Sequence, residues 1–217
     1  GRGRELTGGR HQNSSDNLCI EDCHISTGDD LFFIKSGWDE FGNLYGRPSR
    51  NIILLRITGK TETSAGIAIG SEMSGVVSEV HAEDLHFFGS KTGIAIRFTS
   101  QYEERPDEFY DPNALIVERI TFKDIIVENI KTAGLLEGLE GETFLIICLT
   151  NITRSVTSKS PWKCSSIQGY SNSVSPETCK PLKQRISPEH YSVCYSLSDG
   201  MWISSSNQNR GAWRLSW

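Results

Sequence analysis

The feature that most restricts the fold of this chain is a six-residue unit that returns five times: an apolar residue, three intervening positions, usually Asp or Asn, then another apolar residue. It runs from Leu18 to Cys23, Ile52 to Ile57, Val80 to Leu85, Ile120 to Ile125 and Ile147 to Ile152, with Asp22, Arg56, Asp84, Asp124 and Asn151 in the penultimate place. Successive starts lie 34, 28, 40 and 27 residues apart, and the two long intervals each hold a polar insertion, Trp38 to Pro48 and Gln101 to Asn113. Without insertions the period is about 27 residues, in the range at which one supersecondary unit repeats to build a solenoid.

A second element follows each unit at a similar offset, as in Asp30 to Lys35, Gly66 to Gly70, Gly93 to Arg97 and Gly134 to Gly138. These read as short alternating strands after a turn. No single turn of such a chain buries its own apolar face, so coils must stack and share a continuous core. Ile, Leu, Val and Phe supply the inward ladders, and Asp22, Asp84, Asp124 and Asn151 are expected to stack at a turn and bond to neighbouring backbone amides. A leucine-rich repeat is the competing solenoid, but its L-x-x-L-x-L spacing with a following helix is missing and β-branched residues dominate. The expected fold is all-β, a parallel β-helix over residues 1–186. The period disappears beyond Ile186, and residues 187–217, rich in Ser and Trp, are expected to be an irregular, loose C-terminal tail.

The formal net charge of -5 leaves no basic face, which argues against nucleic acid as a partner. Six cysteines lack the paired C-x-x-C spacing of zinc sites, and their even number suits disulfides in an oxidising compartment. Of fifteen possible pairings, Cys164 with Cys179 is preferred: it closes a Ser-rich, Pro-containing loop, worth roughly 3 kcal/mol on the chain-entropy model. Cys148, in the apolar run Phe144 to Leu149, is read either as bonded or as a buried thiol. Asn13 and Asn151 both begin N-glycosylation sequons, in agreement with secretion. No apolar run reaches the ~18 residues of a membrane span, and the start Gly-Arg-Gly-Arg has no Met and no apolar leader, so an upstream portion is expected to be missing. The chain is expected to be a monomer without metal or cofactor.

Chemistry enters at Asp29 and Asp30, two adjacent carboxylates after Gly28 at the turn between two strands. The flanks, Cys19-Ile-Glu-Asp-Cys-His-Ile-Ser-Thr-Gly-Asp-Asp and Ile34-Lys-Ser-Gly-Trp, resemble the second signature of glycoside hydrolase family 28, the polygalacturonases and their relatives. Ile69-Gly-Ser-Glu-Met-Ser-Gly, Val80-His-Ala-Glu-Asp-Leu, Tyr110-Asp-Pro-Asn-Ala-Leu and Ser160-Pro-Trp-Lys-Cys extend the resemblance over roughly residues 13–186. It implies a right-handed, single-stranded parallel β-helix of the pectin-lyase-like kind. It also implies three Asp in an open cleft, inverting hydrolysis of α-1,4-linked galacturonan, and secretion to the plant cell wall. Inversion needs a protonated carboxyl at the leaving oxygen and a carboxylate base about 6.5–9.5 Å away, with water between. By resemblance Asp29 is the general acid and Asp30 one of two bases.

Departures from the pattern are equally informative. The family's Asn-Thr-Asp-Gly aligns on Leu6-Thr7-Gly8-Gly9, so Gly8 stands where the other base belongs. The stretch that usually supplies a His reads Ser64-Ala65-Gly66-Ile67, and His24, His81 and His86 are expected to be ordinary coil residues. Thr92 to Phe98 jumps from the family's Arg-Ile-Lys signature into a later coil, so about one internal turn is missing; Ala95 takes the Arg position and Arg97 the Lys position. Arg97 is a candidate for holding substrate carboxylate, with its planar fork, or an outward solenoid residue. Lys35 and Glu72 are further candidates for substrate contact. Three functions follow: hydrolysis of pectin, weak or absent in this chain because losing one catalytic group removes ~10²- to 10⁴-fold of rate; a non-catalytic wall-polysaccharide-binding module or truncated product; and a lyase, disfavoured because no acidic cluster for Ca²⁺ is evident.

Overall fold

The computed structural model describes residues 4–7, 10–37, 44–70, 75–89, 93–99, 116–138, 143–185, 187–188, 194 and 213–214. Its strands in chain order are β1 (Arg4–Thr7), β2 (Arg10–Asn13), β3 (Asp16–Glu21), β4 (Cys23–Thr27), β5 (Phe32–Lys35), β6 (Ser49–Thr61), β7 (Ala65–Gly70), β8 (Val76–Phe88), β9 (Ile94–Thr99), β10 (Ile116–Ile130), β11 (Thr132–Glu137), β12 (Phe144–Val156), β13 (Trp162–Ser165), β14 (Ile167–Ser175) and β15 (Trp213–Arg214). Every pairing among them is parallel. A broad nine-stranded sheet takes the long strands in the order β1, β4, β6, β8, β10, β12, β14, and a narrow six-stranded sheet runs β2, β5, β7, β9, β11, β13. Each coil crosses the broad sheet, turns, and crosses the narrow one. The molecule is a right-handed parallel β-helix, the hand that parallel crossovers adopt.

The repeat seen in the sequence is the inward row of the broad sheet. Leu18 pairs with Ile52, Ile52 with Val80, Val80 with Ile120 and Ile120 with Ile147. Five residues on, Ile57, Leu85, Ile125 and Ile152 form a second row in the same register. From Ile52 onward these side chains are fully or almost fully buried. Each contributes about 1.5–3 kcal/mol of apolar burial, which is what commits the chain to stacking.

Between the rows each long strand bends through the left-handed region. Asp22, Arg56, Asp84, Asp124, Asn151 and Ser173 have φ of 50–56°, and a second ladder of Asn17, Asn51, Glu79, Arg119 and Ile146 has φ of 54–58°. Asn and Asp tolerate this conformation better than other residues with a Cβ. From Arg56 onward the penultimate position marks a bend inside a strand, while Asp22 sits at the break between β3 and β4. Two neighbouring pairs of this ladder bond side chain to side chain, where the sequence led to an expectation of bonds to backbone amides. Asn151 Nδ2 donates to Asp124 Oδ1 at 2.5 Å, and Arg56 donates to both oxygens of Asp22 at 2.7 and 2.9 Å. The atom of Asn151 that a glycan would use is thus engaged in the ladder.

The far end of the core is closed by residues 176–185. Trp162 Nε1 donates to Pro176 O at 2.9 Å, Ser171 bonds to Thr178 Oγ1 and Leu182 O, and Leu182 is fully buried. The Cys164–Cys179 disulfide, Cα–Cα 6.3 Å, ties this cap to β13. Gly134 makes room for it, since a Cβ there would lie 2.2 Å from the Trp162 ring. Beneath that ring sits Arg154, its guanidinium carbon 4.1 Å from the ring centroid. Part of the residue reaches solvent, but its three guanidinium nitrogens are buried and, among the described residues, without a hydrogen-bond partner. Burial pushes its pKa down to about 9.

The tail differs from the expected loose extension at two points. Cys194 is bonded to Cys148, Cα–Cα 5.5 Å, which makes Cys148 a half-cystine, and Trp213–Arg214 pairs with Leu18 and Cys19 of β3. A two-residue strand is too short to show any period, and a single tether leaves none.

Candidate active site

Asp29 and Asp30 lie in the corner from Gly28 to Leu31, between β4 in the broad sheet and β5 in the narrow one. The next coil holds this corner in place. Thr61 Oγ1 donates to Asp29 O at 2.9 Å, Thr63 Oγ1 donates to Gly28 O, and Leu31 N donates to Ala65 O at 3.0 Å. Within the corner, Asp29 N donates to Thr27 Oγ1 at 3.1 Å, and Asp30 N donates to Asp29 Oδ1 at 2.8 Å. The two carboxyls sit in different surroundings. Asp29 is exposed, whereas Asp30 is 6% exposed.

Asp30 is surrounded by donors. Its Oδ1 accepts from Ser64 Oγ and from Ala65 N at 2.8 Å, and its Oδ2 accepts from Arg97 Nη2 at 2.5 Å. A carboxylate offers about four acceptor positions, so roughly one remains, on Oδ2. Arg97 comes from β9, two strands away: Phe33 pairs with Ala68, and Ala68 with Arg97. The small Ala68 leaves the guanidinium a path over β7. Sequence reasoning left Arg97 either as a holder of substrate carboxylate or as an outward solenoid residue; in the structure it bonds to Asp30. Ser64 and the Ala65 amide, seen in the sequence only as a place without an imidazole, are the other two donors.

The same register continues outward along the narrow sheet. Phe33, Ala68, Arg97, Leu135 and Lys163 form one rank across β5, β7, β9, β11 and β13. Phe33, Ala65 and Ala68 make a small apolar cluster on this face, and Lys35 Nζ stands 5.1 Å from the Phe33 ring centroid. Lys35 thus lies over Phe33 of β5, while Gly8 and Glu72 lie outside the described residues.

His24, His81 and His86 belong to the broad sheet. His81 Nε2 contacts Glu83 Oε2 at 2.9 Å, Lys123 Nζ contacts Glu83 Oε1 at 2.8 Å, and His86 Nε2 contacts Glu128 Oε1 at 2.8 Å. Burial holds His81 below the usual histidine pKa despite Glu83. For Glu83 burial acts upward, but hydrogen bonds from Lys123 and His81 outweigh it and draw the carboxyl down. Among the described residues no group of three or more His, Cys, Asp and Glu is arranged to hold a metal ion.

Residues 3–139 match the model of glycosyl hydrolases family 28, and the chain belongs to that family. It is 35% identical over 219 residues to a probable polygalacturonase of Vitis vinifera, a match that covers 87% of this chain and 44% of that protein. The chain therefore spans less than half the length of that relative. The crystal structure of a hyperthermoactive exopolygalacturonase from Thermotoga maritima has the same fold, with a TM-score of 0.53 and 23% identity, covering 76% of this chain and 43% of that one.

Proposed function

We propose that this chain is a monomeric, secreted protein of the plant cell wall that acts on the α-1,4-linked galacturonan of pectin, hydrolysing it slowly with inversion. The observation that carries this reading is the split of the Asp pair: one carboxyl exposed at the corner, its neighbour buried and fixed by Arg97, Ser64 and the Ala65 amide. Asp29 is the group free to meet a glycosidic oxygen and protonate it as the bond from that oxygen to the anomeric carbon breaks. Asp30, with about one acceptor position left, orients a water that attacks the opposite face of that carbon and gives up its proton to Asp30 Oδ2. The family's second base falls on Gly8, and Arg97 has part of its guanidinium engaged by Asp30. Both features lower the rate. Mode of attack is tested by proton NMR of products from polygalacturonate at high protein concentration: inversion of the α-linkage yields β-anomers first. An α-anomer appearing first, or unsaturated products, would show a different reaction. Retained binding with no cleavage would favour a non-catalytic wall-binding role.

A further inference from the structure

We propose that Lys163 is a substrate-binding residue that takes a uronate carboxylate far along the narrow sheet from the Asp corner. This rests on the galacturonan reading. Arg97, the cation in the middle of the outward rank, is committed to Asp30. Lys163 ends the same rank, in register with Leu135, which is in register with Arg97. It is exposed and, among the described residues, makes no ion pair; Glu137, the acid on β11, faces Ser165 one step further on. Strand spacing of about 4.8 Å puts it ~19 Å from β5 and the Asp corner, a distance that several linked sugars are needed to span.

The mount is rigid. Trp162 on one side is fixed to Pro176 and packed on Gly134, and Cys164 on the other is bonded to Cys179. A lysine here acts as a point charge, suited to an anion whose orientation varies along a flexible polymer. Because the site begins several sugars from the corner, it selects for chain length and for unesterified uronate.

The test is binding of trigalacturonate, decagalacturonate and a fully methyl-esterified decamer to the unmodified chain, Lys163→Ala and Lys163→Arg, by calorimetry at low salt. An exposed ion pair predicts that Lys163→Ala weakens decagalacturonate binding about two- to fivefold. Trigalacturonate and the esterified decamer should be unaffected, and Lys163→Arg should keep most of the affinity. Equal decagalacturonate binding by Lys163→Ala and the unmodified chain overturns the inference while leaving the galacturonan reading intact. An equal loss for all three ligands also overturns it, as a structural effect. Failure of the unmodified chain to bind any of them overturns the galacturonan reading itself.

Discussion

Asp30 and Arg97 are 67 residues apart in the sequence, and Arg97 Nη2 lies 2.5 Å from Asp30 Oδ2. The contact spans three coils and sets the character of the site. It leaves Asp29 as the exposed carboxyl of the pair and keeps a cation of the narrow sheet directed at the protein's own acid.

Removing one side of this pair strands the other. Arg97→Met leaves Asp30 buried with only Ser64 and the Ala65 amide. The expected loss is about 2–3 kcal/mol, below that of fully buried pairs because the Arg97 side chain stays 26% exposed. Asp30→Asn with Arg97→Met together should recover part of that loss. Urea unfolding of the unmodified chain, Arg97→Met, Asp30→Asn and the double variant measures the coupling, and additive losses would show that the pair is not a unit.

Arg154 is expected to destabilise the fold it belongs to. Its folded pKa of about 9 lies well below the ordinary arginine value, so the folded state binds that proton less tightly than the unfolded one. Stability therefore rises with pH from about pH 9 upward, and below pH 9 the full cost of a buried cation is present. Arg154→Met should therefore raise Tm at pH 7, with the gain shrinking at pH 10. Thermal scans at both pH values check this, and a lowered Tm at pH 7 would mean that stacking on Trp162 outweighs desolvation.

The bend ladders give a prediction of opposite flavour. Ile146 is β-branched and sits at φ 56°, in line with Asn17 and Asn51. Such a residue in the left-handed region costs about 1–2 kcal/mol, so Ile146→Asn is expected to stabilise by about 1 kcal/mol. Asn151→Val on the other ladder should destabilise by a similar amount. Chemical denaturation of both variants distinguishes this from ordinary packing, which predicts a loss at Ile146.

The solenoid was legible because its inward rows are local in each coil: Ile52, Val80, Ile120 and Ile147 announce themselves at fixed offsets from Arg56, Asp84, Asp124 and Asn151. The Cys164–Cys179 loop could be read for the same reason. The second bend ladder was hidden because Asn17, Glu79, Arg119 and Ile146 share a backbone conformation and no side-chain chemistry. The partner of Asp30 was hidden because register across β5, β7 and β9 depends on how many residues each turn consumes, and the sequence does not show which side chain a given turn length brings opposite another. Likewise, nothing in the composition of residues 187–217 marked Cys194 for Cys148 or Trp213 for β3.

Acid should weaken the broad sheet through the cluster of His81, Glu83 and Lys123. His81 has a folded pKa below 6.5, so stability falls as pH drops through that value and the unfolded state gains a proton the folded state resists. Glu83, drawn below 4.5, adds stability above that pH which is lost as its carboxylate is protonated. Tm measured from pH 7.5 to 5.5 should fall less for His81→Gln than for the unmodified chain. Parallel curves would rule out His81 as the source of the upper part of the slope.

Release of reducing ends from polygalacturonate by the chain tests most directly the proposal that the corner at Asp29 is a slow hydrolytic site for galacturonan. The expected result is slow but measurable release, cut at least ~100-fold by Asp29→Asn, in keeping with loss of a general acid. Fast release that is unchanged in Asp29→Asn would contradict both the role of Asp29 and the incompleteness of the site.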